Sequence, residues 1–271
     1  MTNKDYVLSS GQAGRDRLRI LGSVTSPGTN NLFDRIGIRP GMRCLDVGCG
    51  GGDVSMLLAQ RVGATGHVTG VDLDSIKLGI AADEAANADV SNVEFRETNV
   101  FQLIEEIGEE ASFDLLYSRF LLTHLRDPEG ALRSMVAMLS PGGTIAIEDI
   151  DFSGHFSYPD CPAMLDYVRL YTATSAMTGG NANIGPRLPI LLLEAGVENV
   201  SMEVSQPADT VGEAKLICPI TMESVAERTI AEGLATAEEV DRIVRELYEA
   251  ADNPQMVIST PRFIQVWGHY P

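Results

Sequence analysis

Asp46 stands just ahead of four glycines, Gly48, Gly50, Gly51 and Gly52, so a carboxylate and a length of bare backbone lie side by side. Glycine lets a ligand approach the main chain closely, and a carboxylate is a strong hydrogen-bond acceptor for an ammonium group. Such a run calls for a ligand, and its spacing narrows the choice. A dinucleotide loop requires G-x-G-x-x-G, but the third glycine position holds Asp53 when counted from Gly48 and Ser55 when counted from Gly50. The pattern present is D-x-G-x-G-x-G, through Asp46, Gly48, Gly50 and Gly52.

The flanking elements have to position that loop. Residues 43–47 are a short, mostly apolar run suited to a buried strand, and residues 54–61 place Val54, Leu57 and Leu58 on one helical face. The glycines therefore fall at the C-terminal end of a strand, where open α/β sheets bind ligands. Residues 67–74 read as the next parallel strand. Its Asp72 lies 20 residues beyond Gly52, near the spacing at which an acid grips ribose hydroxyls. Asp74 suits the cap of a helix starting at Ser75.

Together these segments resemble the first motifs of the class I S-adenosylmethionine-dependent methyltransferases. The resemblance implies that Asp46 accepts from the methionine amine, directly or through water, while the methionine carboxylate lies near the helix N-terminus that follows. It further implies that Asp72 binds the ribose and that Leu73 packs against adenine. Residues 92–100 alternate as a third strand and end at Asn99, where the family usually carries an acid. An asparagine carbonyl can accept the same bond from the adenine amino group, so Asn99 and Val100 are expected adenine contacts. At the end of a fourth strand, residues 113–118, the family places backbone contacts to the methionine, here at Ser118 and Arg119. Tyr6, in a leading segment that family members often use as a lid, is expected near the sulfonium. Each position also has a plain structural reading: a strand end for Asp72, a turn for Asn99, ordinary packing for Tyr6.

The same resemblance implies a Rossmann-like, doubly wound α/β sheet of seven strands, mostly parallel with an antiparallel last strand, plus helical lid and insertions. Residues 1–39 are then a helical lid segment, 40–151 the cofactor-binding core, and 152–271 the rest of the sheet with substrate-covering insertions. Helical patterning over about 11–36 precedes a turn at Arg39-Pro40-Gly41, and residues 139–151 are a Pro-Gly turn followed by an apolar strand ending in acids. Residues 152–185 break the strand–helix alternation, 188–195 read as a helix stopped by Gly196, and 197–205 as a sixth strand. A capping box at Thr236 and Glu239 opens a helix before Val240, Ile243, Val244 and Leu247, and 262–267 supply the seventh strand.

Composition limits the function classes. The 271 residues are 44% hydrophobic, enough for a large core, and no apolar run reaches membrane-spanning length. Four cysteines without a C-x-x-C pair read as free thiols, with no metal site, and the first residues lack the features of a signal peptide; a cytoplasmic protein is expected. A net charge of -18 disfavours nucleic acid, which binds through lysine and arginine at phosphates. A small-molecule acceptor is the expected partner, and a homodimer is compatible with the chain.

The implied reaction is methyl transfer to that acceptor, with oxygen favoured over carbon or nitrogen. A sulfonium methyl needs chiefly alignment and exclusion of water. An oxygen acceptor adds the need for a base, for which His124, His155, Asp149 and Asp151 are the candidates, although His124 also suits simple packing at a helix start. Two alternatives stand beside this reading: a cofactor-binding protein without methyl transfer, acting as a regulator or a cyclisation catalyst, and a nicotinamide-dependent oxidoreductase.

Overall fold

The computed structural model describes residues 11–108 and 112–271. Helix α1 (Gly11–Ile36) leads into β1 (Arg43–Val47), α2 (Asp53–Val62), β2 (His67–Asp72), α3 (Ser75–Asn87), β3 (Val93–Glu97), α4 (Leu103–Ile107), β4 (Phe113–Arg119), α5 (Pro128–Val136) and β5 (Leu139–Asp151). The chain continues through β6 (Ser157–Tyr158), α6 (Pro162–Met177), α7 (Leu188–Glu194), β7 (Glu198–Ser205), β8 (Ala208–Asp209), α8 (Ile217–Ala231), α9 (Ala237–Asp252), β9 (Val257–Ser259) and β10 (Arg262–His269).

Seven strands form one sheet in the order β3-β2-β1-β4-β5-β10-β7. The pairs from β3 to β5 are parallel, and β10 runs antiparallel between β5 and β7. This is the expected doubly wound, Rossmann-like sheet. Strand order reverses beside β1, between β2 and β4, which opens a crevice beyond the carboxyl end of β1.

Side-chain alternation assigns each face its layer. Leu45, Val47, Leu116, Ile145 and Ile147 point to one face and bury against Leu103 and Ile107 of α4, Leu132 and Met135 of α5 and Leu188, Leu191 and Leu192 of α7. Cys44, Leu115, Tyr117 and Ala146 point to the other, against Leu32 and Phe33 of α1 and Val54, Leu58 and Val62 of α2. On that second face a buried carboxylate, Glu148, accepts from Thr29 Oγ1 at 2.8 Å, from Gln265 Nε2 at 2.7 Å and from the Tyr117 hydroxyl, tying α1 to β4, β5 and β10. A carboxylate can be buried here because its lone pairs are occupied.

A third core lies beyond the sheet, where Tyr167 and Leu170 of α6, Cys218, Met222 and Val225 of α8 and Val240, Ile243 and Leu247 of α9 pack together with Ile150 and Phe152. The capping box of α9 is present, Thr236 Oγ1 accepting from the Glu239 amide and Glu239 from the Thr236 amide. The sequence did not announce a three-stranded second sheet, β6-β9-β8, whose strands of two or three residues are too short to show a period. Among the described residues no helix is long and apolar enough to cross a membrane.

Candidate functional site

One cavity of about 220 Å3 runs from the crevice beyond β1 into the third core. At its first end the backbone of the glycine loop is exposed to the space. Gly48, Gly50 and Gly52 have φ of 76°, 54° and 81°, in the left-handed region that glycine adopts without strain. Their roles divide on what a side chain would meet. A Cβ at Gly50 or Gly51 would point into open space, whereas one at Gly52 would lie 2.8 Å from Ala81 Cβ and 2.9 Å from the Phe95 ring. Gly50 and Gly51 line the cavity; Gly52 lies outside its lining and allows α2 to pack on α3 and β3.

Two acids anchor the loop. Asp46 is 2% exposed and accepts from Ser55 Oγ at 2.6 Å. Burial raises its pKa to about 6, opposed by the Ser55 hydrogen bond and the Arg119 charge. Asp72 accepts from the Gly50 amide through Oδ2 and from the Asp74 amide through Oδ1, each at 2.9 Å. Asp74 caps α3, accepting from the Ile76 and Lys77 amides. With Asp53, these make four carboxylates along one end of the cavity, with Lys77 and Arg119 as the nearby cations. A pyrophosphate would be repelled there. S-adenosylmethionine, with one sulfonium, one ammonium and one carboxylate, carries a net positive charge and suits that field.

The remaining expected cofactor contacts are distributed unevenly. Leu73, 41% exposed, lines the cavity beside Asp72, as do Asn99 and Val100. Asn99 Oδ1 already accepts from the Phe101 amide at 3.1 Å, capping a short 3-10 turn, so one lone pair is left for a ligand. Ser118, expected to contribute its backbone, lies outside the cavity lining, and its Oγ donates to the Val47 carbonyl at 2.7 Å. Arg119, one residue on, does line the cavity and donates to Thr25 and Thr29 of α1. Tyr6 lies outside the described residues.

Of the four base candidates, the structure brings only His124 to the cavity. It is 7% exposed, and burial followed by the Arg17 and Lys77 charges lowers its pKa to about 3, so the imidazole is neutral. Asp149 faces away, accepting from the Thr123 amide at 3.0 Å and the Ile150 amide at 2.8 Å, and so fixes the 3-10 turn Leu122–His124 that carries His124. Asp151 pairs with Arg262 at 2.8 Å and accepts from Ser153. His155 is held by the Phe152 carbonyl at 2.8 Å and packs edge-on against Phe152 and Tyr167, outside the cavity lining.

The far end of the cavity is formed partly by the expected substrate-covering segment, through Phe152, Tyr167 and Tyr171, and partly by residues that no sequence signal marked. Phe120 adopts φ 56°, a left-handed conformation uncommon for a bulky residue, with its amide held by the Glu148 carbonyl; its ring packs 5.3 Å from that of Phe263. Phe152 stacks on Tyr171 at 3.9 Å, and Leu21, Ile217, Tyr167, Thr221 and Arg17 complete the wall. These come from α1, α6, α8, β10 and the turns after β4 and β5, and no local spacing links them. Among the described residues no His, Cys, Asp or Glu group is arranged to hold a metal ion.

A model described as a methyltransferase domain matches residues 38–182, more than half of the chain. The chain belongs to the class I S-adenosylmethionine-dependent methyltransferases. Its cofactor is therefore S-adenosylmethionine, and the loop after β1 matches that assignment in both shape and charge. A ubiquinone biosynthesis O-methyltransferase of Pseudomonas fluorescens is 38% identical over 122 residues, 45% of this chain and 50% of that protein. A ubiquinone/menaquinone biosynthesis C-methyltransferase of Vibrio campbellii is 33% identical over 140 residues, 49% of this chain and 52% of that protein. This chain thus spans about half the length of the relatives it matches. The structure of the YcgJ protein from Bacillus subtilis superposes with a TM-score of 0.60 at 17% identity, covering 90% of this chain and 98% of that one, a likeness of fold.

Proposed function

We propose that this protein transfers the methyl group of S-adenosylmethionine to an oxygen atom of a small acceptor seated among the aromatic side chains of its third core. The observation that carries the reading is one uninterrupted cavity, acidic and glycine-lined at one end and aromatic at the other, with neutral His124 on its wall.

When bound, S-adenosylmethionine supplies a methyl group that is electrophilic without further activation. Gly50 and Gly51 offer it a surface free of side chains. Asp46 accepts from its ammonium group, Asp72 from its ribose hydroxyls, and Leu73, Asn99 and Val100 border its adenine. Helices α1, α6, α8 and α9 act as lid and cap over this core, excluding water. His124 has one ring nitrogen able to accept the proton of an acceptor hydroxyl, and with its pKa lowered by burial it does so only in concert with methyl transfer. A small acceptor is favoured over nucleic acid by the net charge of -18, and a cytoplasmic setting fits the free cysteines.

A second reading, methylation at carbon, is favoured by the weak basicity that burial imposes on His124. Incubation with S-adenosylmethionine and a panel of phenols, followed by proton NMR of the products, distinguishes them: a methyl ether supports the first reading and a ring-bound methyl the second. Release of no S-adenosylhomocysteine with any acceptor, in a protein that binds the cofactor, would favour a cofactor-binding role without transfer.

A further inference from the structure

The two ends of the cavity differ in charge. Against the four carboxylates of the glycine-loop end, the cap end presents the guanidinium of Arg17. Arg17 Nε donates to Thr221 Oγ1 at 3.4 Å, and among the described residues no carboxylate pairs with it. The chain carries a net charge of -18, yet the described residues set no carboxylate against this cation.

A second group points to the same need. Tyr167 is 0% exposed and lines the cavity; the Thr221 hydroxyl is near enough to act on its oxygen, but the phenol has no hydrogen bond of normal geometry. Burial pushes its pKa well above the usual phenol range, so it remains a proton donor, and the Arg17 charge bears directly on it. A buried phenol with no well-placed acceptor and a guanidinium with no carboxylate partner among the described residues are both satisfied by one carboxylate, whose two oxygens match the guanidinium fork and whose spare lone pairs accept from the phenol. The surrounding walls are flat and apolar: Phe152 lies 13° from the plane of Tyr171, and Phe120 meets Phe263.

Resting on the methyl-transfer reading above, we propose that the acceptor is a planar aromatic carboxylic acid, its carboxylate held by Arg17 and Tyr167 at the cap end and its methylated group directed toward the glycine loop. The carboxylate is then a recognition handle, distinct from the atom that is methylated. Arg17 and Tyr167 are specificity-determining residues and take no part in bond making.

Calorimetry on the protein saturated with S-adenosylhomocysteine tests this without requiring turnover. Benzoate, cinnamate and 2-naphthoate are each compared with the matching carboxamide. At least one acid is expected to bind about tenfold or more tighter than its amide, the size of effect a charge-assisted pair gives over a neutral one. Arg17→Gln should bring acid and amide to within about twofold, Arg17→Lys should restore part of the preference, and Tyr167→Phe should weaken the acid by roughly threefold to tenfold and the amide, whose carbonyl accepts a neutral bond, by less. Unaltered S-adenosylhomocysteine binding in each variant reports an intact fold. Equal binding of acids and amides, no binding of any acid, or an acid preference that survives Arg17→Gln overturns the proposal. Failure of the methyl-transfer reading appears separately, as absence of product from acids that do bind.

Discussion

The Asp72 carboxylate accepts the Gly50 amide hydrogen at 2.9 Å, so the residue expected to hold the ribose also fixes the curvature of the glycine loop across from it. One acid therefore sets two walls of the cofactor site. Asp72→Ala should weaken S-adenosylmethionine binding tenfold or more, roughly 1.4 kcal/mol or above, by calorimetry. NAD should show no binding to the native protein. Full cofactor affinity in the variant would remove Asp72 from the site.

Gly51 and Gly52 are adjacent but should respond oppositely to alanine. At Gly52 the added methyl meets Ala81 and Phe95 below 3.0 Å in a left-handed backbone, so Gly52→Ala should lose on the order of 1–3 kcal/mol in urea unfolding. At Gly51 it meets nothing within 4 Å, so Gly51→Ala should unfold like the native chain yet bind the cofactor more weakly. Equal stability losses in both would contradict this division of roles.

Asp46, with its pKa raised to about 6 by burial, must be ionised to accept from an ammonium group. The cofactor dissociation constant should therefore be flat above pH 6 and rise about tenfold per unit below it, as single-proton linkage requires. Ser55→Ala removes the hydrogen bond that favours the ionised form, and should shift this acid limb to higher pH. A limb unmoved in that variant would assign the titration to another group.

Asp149 links pH to stability. Burial raises its pKa from 3.8 to about 7, with the Ile150, Thr123 and Leu122 amides opposing. The folded chain thus holds a proton that the unfolded chain releases. Its contribution is fully present below pH 3.8 and is lost as pH rises through 7, by roughly 4 kcal/mol at most. The stability difference between the native protein and Asp149→Asn should fall across that window in urea titrations at stepped pH. A difference independent of pH would mean that Asp149 titrates normally.

What could be read from the sequence was what local order encodes. Asp46, the glycines and Asp72 lie within one strand–helix–strand unit, so their spacing carries the loop, the helix and the next strand end together. The capping box at Thr236 and Glu239 is likewise a four-residue signal. Asp149 misled because a polar residue at a strand end looks the same whether it faces a ligand or a neighbouring main chain. Which it does depends on the pleat and on the turn that packs over it. Tyr167 was legible only as one of the aromatic residues of a substrate-covering insertion, and Arg17 and Thr221 not at all: the three meet only because α1, α6 and α8 pack together, and their apolar neighbours resemble any other core.

The central position of β10 has a consequence for the order of events during synthesis. Strand β7 has no partner in the main sheet other than β10, and β5 presents an open edge until β10 arrives. While a ribosome is still translating residues 206–261, both edges wait unpaired, with Glu148 lacking the Gln265 amide that later covers one of its oxygens. The nascent chain is therefore most open to mispairing just before residues 262–269 emerge.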